Sequence, residues 1–283
     1  VRLILLSKEE EYKKVLVTGG KGFLGKNLQS IKPEWKYSCS VDCDLTNYQE
    51  TLDWLESEKP DAVIHLAAKV GGIKDNSLNP ADFFDKNILM NTNIIRASHN
   101  AGINRVLSAL STCVFPDKVD SYPFSEESLL LGPPPSTNLS YGFAKRALHI
   151  QSCAYRKQYS RNYSTFCPSN LYGPYDNFDL ETSHFIAALI RKVYERNTKT
   201  SNVEMWGTGK PKRQQLYVKD LAKIIPILLV RHNSETPLII APNENISILE
   251  SCNILSSSIN EQISFNFNNI LDGQFRKDGS NSK

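Results

Sequence analysis

Short apolar runs rich in β-branched residues alternate with longer amphipathic stretches up to about residue 170, and this rhythm constrains the fold more than any other feature. Residues 14–18, 61–67, 105–111 and 164–167 read as strands, with another expected over 36–41. Between them, 21–30, 48–58, 81–100 and 141–159 are each long enough for a crossover helix. Strands that are apolar throughout must be covered on both faces. The sequence therefore predicts an α/β fold, a doubly wound (Rossmann) parallel sheet.

From residue 171 the pattern loosens. Gly, Pro and Asn crowd 171–178, a helix is expected over 181–196, and the loop Trp206-Gly207-Thr208-Gly209 follows. The shift predicts a smaller, mostly C-terminal substrate-binding domain, about 171–215 with 242–283, beside a Rossmann domain of 13–170 with about 216–241. Pro226 lies inside an expected helix over 218–230, which predicts a kink or early end there. A helix over 247–257 and a strand over 263–267 complete the expectation.

Charge excludes several functions. Lys and Arg total 33 against 30 Asp and Glu, a net of +3 with the signs interleaved, so no basic face for nucleic acid is expected. The run Val1-Arg2-Leu3-Ile4-Leu5-Leu6 is too short for a membrane span or a leader core. Six cysteines (Cys39, Cys43, Cys113, Cys153, Cys167, Cys252) form no C-x-x-C pair. No metal is expected, and the reading is a reduced, cytoplasmic protein.

The first strand runs into Thr18-Gly19-Gly20-Lys21-Gly22-Phe23-Leu24-Gly25, a G-x-x-G-x-x-G turn that opens a helix. Glycines let a backbone approach a pyrophosphate closely, and free amides at a helix N-terminus favour its charge. A dinucleotide cofactor is expected here. The second strand lacks a terminal acid to hold a free ribose 2′-hydroxyl, while Lys21 can pair with a 2′-phosphate, so NADP is preferred to NAD. Asp44 and Leu45 are either adenine contacts or a turn before the next helix.

Tyr141-x-x-x-Lys145 places a phenol and an ammonium one helical turn apart. A buried ammonium beside a phenol is expected to lower its pKa and suit it to protonate a carbonyl receiving hydride. Ser111, at the expected end of a strand, can bind the same oxygen.

Glycine turn, strand-end serine and Y-x-x-x-K, in this order, resemble the extended short-chain dehydrogenase/reductase family. Finer strings narrow the likeness: His65-Leu66-Ala67-Ala68-Lys69-Val70-Gly71-Gly72, Leu110-Ser111-Thr112-Cys113-Val114-Phe115-Pro116, Gly173-Pro174-Tyr175-Asp176-Asn177-Phe178 and Trp206-Gly207-Thr208-Gly209 are similar to its GDP-L-fucose synthase branch. The resemblance implies NADPH-dependent conversion of GDP-4-keto-6-deoxy-D-mannose by epimerisation at C3 and C5 and reduction at C4. It implies Ser111, Tyr141 and Lys145 as the reductive set, Cys113 as base and His184 as acid. The cofactor would also be lined by Leu66, Ala67, Ala68, Pro168, Asn170, Leu171 and His184. Asn170, Asn177, Arg191, Trp206, Arg213 and Lys277 would meet the GDP-sugar. Trp206 covers the nucleotide or packs under its own loop; Asn170 binds sugar or holds a turn after Pro168 and Ser169.

A homodimer through helices 81–100 and 141–159 is a further implication. Relatives continue beyond the segment around Lys277, so a truncated chain is expected, consistent with a hydrophobic fraction of only 40%. Two alternatives stand beside this reading: a sibling nucleotide-sugar epimerase or dehydratase, and an inactive relative acting as a scaffold. Thr112 and Cys113, where dehydratases carry acids, weigh against the first; intact Ser111, Tyr141 and Lys145 weigh against the second.

Overall fold

The structure, a computed structural model, describes residues 12–196, 201–268, 274 and 276–281. The opening Val1–Leu6 run therefore lies outside the described residues. Elements are numbered in chain order. The first half contains β1 (Val15–Thr18), α1 (Phe23–Gln29), β2 (Lys36–Ser38), α2 (Tyr48–Glu58), β3 (Ala62–His65), α3 (Ile73–Leu78), α4 (Pro80–Asn100) and β4 (Arg105–Ala109). Then come α5 (Leu139–Tyr159), β5 (Asn162–Pro168), β6 (Asn170–Tyr172), α6 (Phe185–Glu195), β7 (Asn202–Met205), β8 (Lys212–Arg213), β9 (Gln215–Tyr217) and α7 (Val218–Arg231). The last elements are β10 (Leu238–Ile240), β11 (Ile246–Ser247), α8 (Ile248–Ser258), β12 (Ser264–Phe267) and β13 (Arg276–Lys277).

Six strands form a wholly parallel sheet in the order β10-β5-β4-β3-β1-β2. Alternate residues serve opposite faces. Leu16, Val63 and Val106 pack with Ile94, Ile95 and Leu148 under α2, α4 and α5, whereas Val17, Ile64 and Leu107 pack with Leu28, Leu221 and Ile225 under α1 and α7. Between β1 and β3 the strand order reverses, which opens a crevice at the C-terminal ends of those strands. A separate core of Leu189, Val193, Val203, Met205, Cys252 and Ile263 unites α6, β7, α8 and the β12 region. No described helix is long and apolar enough to cross a membrane.

Three expectations are corrected. The second strand ends at Ser38, not at Val41, because Asp42 accepts hydrogen bonds from the Cys39 N–H (2.7 Å) and thiol (3.1 Å) and turns the chain. Helix α7 continues past Pro226 to Arg231; Leu221, Ala222, Ile225, Leu228 and Leu229 bury one face, and the Arg105 guanidinium donates to the Leu228 and Leu229 carbonyls at its end. Helix α6 starts at Phe185 rather than Glu181, since the Asp179 carboxylate gathers the Glu181 and Thr182 N–H groups into a turn.

Candidate functional site

The crevice is built by backbone before side chains. Gly19 has φ +73°, and a Cβ there would stand 2.8 Å from the Ala67 N. The glycine turn thus lies directly against Leu66 and Ala67, just beyond the end of β3. Helix α1 opens at Gly22 without a side-chain cap and without acid in its first turn, which leaves its first amides for an anion. These residues fit a dinucleotide pyrophosphate: close backbone and a bare helix start.

Beyond the turn, Lys21 is exposed and Asp42 faces both Lys21 and Lys36. Hydrogen bonds from Cys39 hold the Asp42 carboxyl below its usual range, with the two lysines adding to the effect. Val41 is 81% exposed and plays no part in the strand. Asp44 closes its own turn by accepting from the Thr46 N–H (2.9 Å) and hydroxyl (2.8 Å), while the Leu45 carbonyl accepts from Asn93 of α4 (2.9 Å).

Ser111, Tyr141 and Lys145 converge. Ser111 stands two residues beyond β4, not within it, and caps a 3-10 turn, Thr112–Val114, by accepting the Cys113 N–H at 3.3 Å. Tyr141 and Lys145 lie on the first turns of α5, both buried. Lys145 Nζ donates to the Ala109 carbonyl at 2.9 Å, and burial lowers its pKa to about 8. The expected lowering at Tyr141 is reversed in this structure. Burial, then Cys113 and Cys167, push the phenol well above its usual value, while a hydrogen bond with Ser111 opposes them. Burial is the largest of these causes, and the Lys145 ammonium is not among the groups that offset it.

Cys113 meets a residue from the far end of the chain. Lys277 Nζ donates to its sulfur at 3.2 Å. The strand that carries Lys277 is secured on two sides: β13 pairs in parallel with β8, the Tyr122 hydroxyl donates to the Arg276 carbonyl (3.1 Å), and Gln214 exchanges two hydrogen bonds with Gly279 (2.9 and 3.1 Å). Its sequence neighbours Asp272, Gly273 and Phe275 lie outside the described residues.

His184 is the N-cap position of α6. Its ring is open to solvent yet crowded by protein, as a side chain in a cleft is; that crowding, then the Lys277 charge, lowers its pKa. Val70-Gly71-Gly72 explains how this loop is placed. The Gly72 N–H donates to the Thr182 carbonyl at 3.0 Å, and a Cβ on Gly72 would lie 2.8 Å from the Ser183 carbonyl oxygen.

Other expected contacts are scattered. Asn170 begins β6, paired with Gln215, so it holds no turn after Pro168 and Ser169; Leu171 follows on the same strand. Asn177 is exposed and bonds Thr182 (2.8 Å). Arg191 pairs with Glu195 on the outer face of α6, and Trp206 is 63% exposed with Lys192 Nζ 5.9 Å from the ring centroid. Arg213 lies on β8 beside the Lys277 strand. Sequence reasoning missed the Lys277–Cys113 contact and the role of Gly72; the Val-Gly-Gly string was the available clue to the second.

The NAD dependent epimerase/dehydratase family matches residues 15–241. A probable GDP-L-fucose synthase of Drosophila melanogaster is 38% identical over 96% of this chain and 89% of its own length. A GDP-L-fucose synthase of Sinorhizobium fredii is 42% identical over 86% and 79%, respectively. The crystal structure of a GDP-L-fucose synthetase from Naegleria fowleri bound to NADP is similar, with TM-score 0.85 and 33% identity, covering 99% of this chain and 86% of that one. Fold and likeness agree, and the chain belongs to the NAD dependent epimerase/dehydratase family, in its GDP-L-fucose synthase branch.

Proposed function

We propose that this protein converts GDP-4-keto-6-deoxy-D-mannose to GDP-L-fucose, epimerising C3 and C5 and then reducing C4 with NADPH. The observation that carries the reading is the placing of the Cys113 sulfur, with its Lys277 ammonium, two residues from the Ser111 that bonds Tyr141. A base and an oxygen-binding pair thereby share one end of the sheet.

Carbons flanking a keto group become acidic when the oxygen is held by donors. Ser111 and Tyr141 hold that oxygen, the Cys113 sulfur takes the proton, and His184 returns one from the opposite side of the ring. The lowered pKa of His184 makes its charged form scarce at neutral pH but a stronger donor. Bound NADPH supplies the hydride for the last step. Tyr141 then delivers its proton to the C4 oxygen, and the buried Lys145 supports the charge left on the phenol. Arg213 and Arg191 are assigned to the diphosphate or sugar, Asn170 and Asn177 to the sugar, and Trp206 to the nucleotide.

The separate core around α6 and α8 is read as the substrate-binding domain. A homodimer through α4 and α5 is supported by the outward Phe84, Leu89, Phe143 and Ile150, and a cytoplasmic setting by six free thiols. The deciding assay mixes protein, NADPH and the keto sugar, following absorbance at 340 nm and identifying the product. GDP-L-fucose is expected. NADPH oxidation yielding an unepimerised sugar, or none at all, overturns the reading. Sedimentation as a monomer at micromolar concentration overturns the dimer.

A further inference from the structure

His65 is fully buried at the end of β3, and the steps above do not use it. Its ring lies in an unbroken line of hydrogen bonds between two main-chain groups. The Ala67 N–H donates to Thr18 Oγ1 (3.3 Å), Thr18 Oγ1 meets His65 Nδ1 (2.8 Å), His65 Nε2 meets Asn91 Oδ1 (3.0 Å), and Asn91 Nδ2 donates to the Ala144 carbonyl (3.1 Å). Thr18, His65, Asn91 and Ala144 all have 0% exposure.

The two ends fix every proton between them. A carbonyl only accepts, so Asn91 must turn its amino group to Ala144 and its oxygen to His65. Nε2 therefore carries the ring proton. Nδ1 is then bare and accepts the Thr18 hydroxyl, whose oxygen still receives the Ala67 N–H. Only the neutral Nε2–H tautomer satisfies all members. Burial, followed by the nearby Lys145 charge, keeps the ring neutral and pushes its pKa down to about 3.

What the line joins gives it a function. Thr18 immediately precedes Gly19 of the glycine turn, Ala67 follows β3 on the crevice wall, and Ala144 immediately precedes Lys145 on α5. Helix α4 spans the gap, and its Asn87 grips both the N–H and carbonyl of Lys69 (3.0 Å each). We propose that His65 is a positioning residue for the reduction step, holding the glycine turn and the Lys145 turn of α5 at one fixed separation. This rests on reading Tyr141 and Lys145 as the reductive pair.

Two measurements test it. In the wild-type protein, labelled-histidine NMR should show one of the five histidines as a neutral Nε2–H tautomer that does not titrate between pH 8 and 5, and His65→Gln should remove that signal. An Nδ1–H form, or titration near the usual 6.5, overturns the proposal. In kinetics, Thr18→Val keeps the shape and removes the hydroxyl. It should lower the reduction rate about tenfold and raise the NADPH KM, with deuterium uptake into the keto sugar changed less than about twofold. Thr18→Ser should restore both. A fall in thermal midpoint without that split, or equal loss of both steps, assigns His65 to folding alone. Tyr141→Phe serves as control: if it still oxidises NADPH, the reading of the reductive pair fails, while the tautomer result stands by itself.

Discussion

Replacing His65 with glutamine should make the protein less sensitive to acid, even though it weakens the fold at neutral pH. The folded pKa of about 3 compares with 6.5 for an unperturbed histidine. Below pH 6.5 the unfolded chain binds a proton that the folded one refuses. The contribution of His65 is therefore complete above pH 6.5 and is lost as pH falls toward 3. At 1.36 kcal/mol per pH unit, going from pH 7 to pH 5 removes about 2 kcal/mol. His65→Gln forfeits the relay, at about 1–3 kcal/mol near pH 7 for buried groups left unpaired, but it has nothing to titrate. The stability gap between the two proteins should thus narrow by about 2 kcal/mol between pH 7 and pH 5. Asp176, raised to about 6 by burial, and the other four histidines, all lowered chiefly by burial, titrate in both proteins and cancel in the difference. Urea unfolding by tryptophan fluorescence at pH 7, 6 and 5, at constant ionic strength, measures the gap. A gap that stays constant or widens in acid refutes the reasoning.

Tyr141→Phe should abolish NADPH oxidation while deuterium from solvent continues to enter the keto sugar, as read by mass spectrometry; continued oxidation would remove Tyr141 as proton donor. Cys113→Ser should slow that uptake by about 10²-fold or more, the usual scale for losing a general base, and Lys277→Met by about tenfold with NADPH affinity retained. Gly72→Ala forces a methyl within 2.8 Å of the Ser183 carbonyl oxygen, so it should cost about 1–3 kcal/mol and slow proton return by His184. A fully active, equally stable Gly72→Ala protein would show that the loop moves freely.

The parallel sheet was legible because its strands are buried on both faces, which leaves continuous apolar runs in the sequence. Its limits were less so. Asp42 ends β2 by accepting from the backbone N–H and the thiol of Cys39, three residues back, a local event that hydrophobic patterning does not register. Pro226 suggested a break, but Arg105, from another strand, secures the end of α7. At the site, Ser111, Tyr141 and Lys145 were legible as residues, since each lies close to a recognisable strand end or helix start. Their electrostatics were not, because burial, which raises the Tyr141 phenol and lowers the Lys145 ammonium, is set by the packed fold rather than by the motif. Lys277 was legible only as a charge: its contact with Cys113 depends on a two-residue strand pairing with β8. Nor does His65 in a His-Leu-Ala-Ala run reveal that Asn91 waits on the opposite helix.

The pairing of Cys113 with Lys277 has a bearing on synthesis as well as catalysis. The two residues are 164 positions apart. At roughly 5–20 residues per second of translation, the sulfur emerges roughly 8–33 seconds before its ammonium partner. The glycine turn, Ser111, Tyr141 and Lys145 are all present early in that interval. A nascent chain can thus bring these four together while Cys113 waits for a strand that must return and lie down beside β8.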